Sequence, residues 1–142
     1  MAEAPTIQVD IVSAEGEIFS GPAAMVFVPA AQGEIGIAPR HAPLLTTLKP
    51  GEVRVQSPDG SEHGFYVGGG ALEIQPQRVT VLADTAIRAK DLDEAAALAA
   101  KQRAEEALKD RGAQIDLAQA QAELARAAAQ LKAIERLRKI RQ

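Results

Sequence analysis

The apolar residues of this chain change period once, and that change constrains the fold more than any single motif. Up to about Asp84 they alternate: Ile7, Val9 and Ile11, then Val26 and Val28, Val53 and Val55, Leu72 and Ile74, Val79 and Val81. A period of two marks strands with one buried face. Turn residues separate the runs at short, even intervals, in AEGE from Ala14, SPDGS from Ser57, GGG from Gly68 and QPQ from Gln75. Short, evenly spaced strands predict a flattened β-sandwich or barrel. Its aromatics are only Phe19, Phe27, Phe65 and Tyr66, so the core rests on Val, Ile, Leu and Ala and is expected to be thin.

From Asp91 the chain is rich in Ala, Leu, Glu, Lys, Arg and Gln, and no proline follows Pro76. These are strong helix formers. Gly112 is the natural break, with Asp91 or Asp93 placed to cap a first helix and Asp116 near the start of a second. The reading is therefore a β + α chain. Residues 1–86 form the sandwich, and residues 87–142 form an antiparallel two-helix hairpin with helices at about 91–111 and 114–140.

Leu117, Leu124 and Leu131 recur every seven residues, with Ala120, Ala127 and Ile134 three beyond each, which predicts a seam. The facing row is Ala97, Ala100, Ala104 and Leu108. At about 0.8 kcal/mol per buried methylene, a row of methyl groups holds two helices weakly. High helix propensity lets each helix persist once separated. Stable helices joined by a weak seam suggest a conformational switch, and a crosslink across the seam that changed no regulatory property would count against it.

Charge separates the two parts. Residues 1–86 carry ten acidic and four basic side chains, and residues 87–142 carry nine acidic and twelve basic. Lys132, Arg136, Arg138, Lys139 and Arg141 crowd the last three turns of the second helix, more than its negative dipole end requires, and imply an acidic partner surface. The acidic total argues against general nucleic-acid binding. With no cysteine, neither disulfides nor a Cys-ligated zinc site is available. MAEAPTIQVD lacks the basic and apolar parts of a signal peptide, and no long apolar run is present. A cytoplasmic chain that does not itself cross a membrane is expected.

Catalytic constellations are missing. His41 and His63 lie apart and outside any HxxxH or HExxH pattern, and no GxSxG elbow is present. VGGGAL lacks a GKS or GKT ending and leads into a strand, so it reads as a tight connection where backbones approach closely. The segment GEIGIAPRHAPLLTTLKPG, from Gly33 to Gly51, gathers Glu34, Arg40 and His41. A proton relay there would need further parts that the sequence lacks, and prolines that fix φ make a rigid docking loop the better reading.

GEIGIAPRHAPLLTTLKPG, YVGGGALEIQP and VTVLADTAIRAKDLDEA, in that order, resemble the ε subunit of bacterial F-type ATP synthase over essentially the whole chain. The resemblance implies a non-catalytic rotor subunit without cofactors, peripheral on the cytoplasmic face of the inner membrane. Its implied partners are the γ subunit, the c-subunit ring and, when the hairpin extends, the catalytic β and α subunits. It places Glu34, Arg40 and His41 at the c-ring or γ contact. It makes Arg126, Lys132, Arg136, Arg138, Lys139 and Arg141 the face that inhibits ATP hydrolysis. Some members bind ATP through [IL]DxxRA. Here Leu92-Asp93-Glu94-Ala95-Ala96-Ala97 keeps the aspartate as Asp93 but has Ala96 for the arginine, leaving Arg103 as a second phosphate contact. Loss of the guanidinium implies weak or absent nucleotide binding. The alternative is a stand-alone adaptor whose basic helix docks an acidic protein, distinguished by failure to form a stoichiometric complex with a γ subunit.

Overall fold

The computed structural model describes residues 4–109 and 117–141. Ten strands come first: β1 (Ile7–Ser13), β2 (Gly16–Ala23), β3 (Met25–Ala30), β4 (Gly33–Ile37), β5 (Leu44–Leu48), β6 (Gly51–Gln56), β7 (Glu62–Val67), β8 (Gly70–Gln75), β9 (Arg78–Ala83) and β10 (Ala86–Arg88). A single 3-10 turn at Ala89–Asp91 leads to α1 (Glu94–Lys109) and α2 (Leu117–Arg141).

The strands join in the order β10-β7-β6-β3-β5-β8-β9-β1-β2, with β4 pairing off β3. All described pairings are antiparallel except β1 with β9. The two ends of this path approach each other. Arg88 of β10 donates through Nη2 to the Ile18 carbonyl of β2 at 2.6 Å, and the rings of Phe19 and Phe65 stand 5.3 Å apart and tilted. The sheet is thus a nearly closed, flattened barrel, as the alternation predicts. Its interior is the run of alternating residues named above, joined by Ile37, Phe65 and Val67. Gly70 has φ +133, and a Cβ there would collide with the Leu82 carbonyl oxygen. The triple glycine is the close backbone approach expected, not a phosphate cradle.

The helical part differs from expectation in two details. α1 begins at Glu94 instead of Asp91, because Ala89–Asp91 closes a 3-10 turn and Leu92 is extended at φ −71, ψ 137. Asp93 then acts as the cap, its Oδ1 accepting from the Ala96 N–H at 3.1 Å. The break at Gly112, the cap at Asp116 and the exact facing ends of the two helices lie outside the described residues.

The seam departs from expectation in its leucine row alone. Ala97 and Ala104 of the expected facing row are buried, as are Ala120, Ala127 and Ile134 of α2, whereas Leu124 and Leu131 are half-buried and Leu117 is 59% exposed. Two alanine faces bring the backbones close, and the larger leucines are displaced to the flanks. Arg138 near the end of α2 pairs with Glu94 at the start of α1, so the helices run antiparallel.

Candidate functional site

Strand alternation creates a face for α2 to cover. Val53 and Val55 of β6 point into the core, which turns Glu52 and Arg54 outwards. The register sets Glu52 opposite Tyr66 and Arg54 opposite Gly64 on β7. α2 lies across this face and against the 3-10 turn. Tyr66, on the outward side, is only 1% exposed. Burial raises the pKa of its hydroxyl, opposed by the proximity of Gln130 and the charge of Arg126, both on α2.

Arg136 joins helix to sandwich. Its Nε pairs with Glu52 and its Nη1 with Glu62 at 2.7 Å. Gly64 lies beneath the guanidinium: a Cβ there would stand 3.1 Å from Nη2. Any side chain at position 64 crowds the space that the arginine needs. Burial pushes the Glu52 carboxyl above its ordinary value, although Arg136 and Arg54 pull the other way. Beside this clasp runs a groove of about 610 Å³, open to solvent and lined in part by Pro29, Glu34, Gly51, Arg54 and Lys132.

The residues singled out in the sequence do not converge. Glu34 projects from β4 and pairs with Arg54, whose guanidinium also stacks 4.4 Å from the Phe27 ring centroid. Arg40 sits in the left-handed region at φ 68, its N–H donating to the Pro76 carbonyl at 2.9 Å. His41 donates through Nδ1 to the Ala42 carbonyl at 2.7 Å, a bond that fixes its tautomer, since a carbonyl only accepts. No proton relay links the three. Leu45, in the same segment, is 74% exposed.

On the helices, Arg136 is held by the sandwich and Arg138 by Glu94 of α1. Lys139 pairs loosely with Glu135 at 3.7 Å, Lys132 lines the groove, and Arg126 faces Tyr66. The Arg141 side chain lies outside the described residues. Asp93 is occupied by its helix cap, and Arg103 is exposed ten residues further along α1, about 15 Å by helical rise. Sequence reasoning missed Glu52, Glu62, Gly64 and Tyr66 as the receiving surface. A signal was available: outward positions of β6 and β7 carry Glu52 and Glu62 in a chain whose last helix is basic. Among the described residues no cluster of His, Cys, Asp and Glu is set to hold a metal, and no helix is long and apolar enough to cross a membrane.

Two known family models match this chain. Residues 6–89 match the ATP synthase Delta/Epsilon chain beta-sandwich domain, and residues 90–135 match its long alpha-helix domain. The chain belongs to the ATP synthase epsilon chain family. An ATP synthase epsilon chain of Nitrosococcus oceani is 70% identical over 136 residues, spanning 96% of this chain and 97% of the relative. That of Halorhodospira halophila is 60% identical, spanning 94% and 96%. A chain of the Euglena gracilis mitochondrial ATP synthase, solved as OSCP/F1/c-ring in rotational state 1, shares the fold. Its TM-score is 0.70 at 17% identity, covering 100% of this chain and 85% of that one. A chain of the Tetrahymena thermophila mitochondrial ATP synthase central stalk/c-ring gives 0.63 at 11%, covering 94% and 99%.

Proposed function

We propose that this epsilon chain is a non-catalytic rotor subunit in the central stalk of a proton-translocating F-type ATP synthase. It would be peripheral on the cytoplasmic face of the bacterial inner membrane. The observation that carries the reading is the family match over both the sandwich and the helices, with relatives named as epsilon chains along nearly their full length. The division of labour follows from the chemistry of each part. The sandwich is closed on itself by Arg88 and offers γ and the c-ring a rigid body. The segment with Glu34, Arg40 and His41 presents its polar groups to c-subunit loops, Arg40 being pinned by its bond to Pro76.

The helices carry the regulatory role. α2 presents Arg126, Lys132, Arg136, Arg138 and Lys139 along one element, a set suited to an acidic segment of the catalytic β subunit when the hairpin extends. In the docked arrangement two of these cations are already paired with carboxylates outside α2, Arg136 with the sandwich and Arg138 with α1. Docked helices therefore leave hydrolysis free, and extended helices inhibit it. Truncation after Leu92 tests this, because it keeps Arg88 and the buried Ala89. Reconstituted with the other subunits, the truncated chain is expected to raise ATP hydrolysis while proton pumping persists. Unchanged hydrolysis would remove the inhibitory role from the helices.

Nucleotide sensing is not part of this reading. Ala96 stands where the family pattern has arginine, and the Asp93 carboxylate already accepts a backbone N–H. A calorimetric titration with micromolar ATP is expected to show no heat of binding.

A further inference from the structure

We infer that Glu52 and Glu62 form an acidic receptor on the sandwich that sequesters Arg136 and competes with any external acidic surface for the end of α2. The inference deepens the inhibitory reading above and rests on it. Four observations converge at one point. Arg136 is half-buried and engages both carboxylates through different nitrogens, Nε to Glu52 and Nη1 to Glu62. The two carboxylates reach it from neighbouring strands, β6 and β7. Gly64, between them in the ladder, leaves the space in which Nη2 lies. The Glu52 side chain is only 12% exposed, so it keeps one charge-assisted partner and little water.

This arrangement has the chemistry of an acidic binding segment: two carboxylates set to receive one guanidinium. An arginine cannot satisfy this receptor and an external carboxylate pair at once, so engagement of a partner by Arg136 requires release from the sandwich. Release breaks both ion pairs together and gives the two carboxylates back to water without a fixed partner. The groups facing Glu52 are Arg136 from α2, Arg54 on its own strand and Glu62 from β7. Arg54 is committed to Glu34 and Phe27, so it does not replace Arg136. The receptor thereby sets the threshold for extension of the hairpin. The alanine seam sets the threshold for separating α1 from α2, a different event.

The test uses the full chain with a spin-label pair, one label on β9 at Leu82 and one on α2 at Ala125, both exposed. Distance distributions are measured for wild type, R136Q, E52Q/E62Q and the triple variant, and each chain is then assembled with the remaining subunits for ATP hydrolysis assays. Glutamine keeps the size of glutamate, and circular dichroism verifies folding. E52Q/E62Q is expected to lower the docked-to-undocked ratio by roughly tenfold, the scale of a lost charge-assisted pair. It should also lower hydrolysis in the assembled enzyme. R136Q should undock the helix comparably, and adding it to E52Q/E62Q should produce little further undocking. A docked ratio unchanged in E52Q/E62Q, or full additivity of the two sets, overturns the receptor. Undocking with unchanged hydrolysis leaves the receptor standing as a latch but overturns the competition, and with it the inhibitory reading of α2. Gly64→Ala, which alters space without removing charge, should shift the ratio in the same direction by a smaller factor.

Discussion

Asp10 and Glu52 are both enclosed carboxylates, and their surroundings push them in opposite directions. Burial raises the Asp10 pKa, but hydrogen bonds from Ser20 at 2.7 Å and Gln8 at 3.2 Å, with the charge of Arg78, outweigh it and hold the group below its ordinary 3.8. The stability Asp10 contributes is present above that value and lost as pH falls through its lowered folded pKa. Glu52 is raised above its ordinary 4.5. Asp10→Asn is expected to cost about 1–2 kcal/mol at neutral pH, measured by urea unfolding, with the gap from wild type narrowing as pH falls below 3.8. A gap that stayed constant on acidification would contradict this assignment.

Among the elements, the helices were the more legible in kind and the less legible in packing. Helix propensity and the absence of proline after Pro76 identify α1 and α2 without tertiary information. The heptad marks two rows, the leucines and Ala120, Ala127 and Ile134, but propensity says nothing about how closely two backbones approach, and the second row alone took the interior. Ala127→Leu, at a position 3% exposed, therefore overfills the seam and is expected to cost about 1–3 kcal/mol of hairpin stability. Leu117→Ala should be almost silent because that side chain is largely in water. Amide exchange along α1 and α2 distinguishes the two, since only the former should accelerate exchange on both helices. The strands were legible because alternation records burial residue by residue. The receiving face was not, because Glu52 and Glu62 look like ordinary solvent-facing strand residues until α2 is placed over them. Glu34, Arg40 and His41, adjacent in sequence, were separated by the β4 hairpin geometry and by the left-handed turn at Arg40.

For the whole molecule, the sandwich is expected to survive loss of the helices, since its closure runs through Arg88 and Ile18 and its core cluster contains no helical residue. Truncation after Leu92 should retain a cooperative melt of the β-sheet signal, whereas Arg88→Ala should lower its midpoint. A truncated chain that fails to melt cooperatively would show that α2 is part of the core. The short connection between the parts has a mechanical consequence. Ala89 is buried and Asp93 already caps α1, so only Lys90, Asp91 and Leu92 separate an anchored point from a stiff rod. α2, with 25 residues, is about 38 Å long at helical rise. A small rotation about so short a tether sweeps the far ends of the rods through a wide arc, and it does so from one fixed point on the barrel's rim. Extension of the hairpin, as proposed above, would pivot at the joint at Leu92 with a long lever arm, turning a change in backbone angle at one residue into displacement on the scale of a neighbouring subunit.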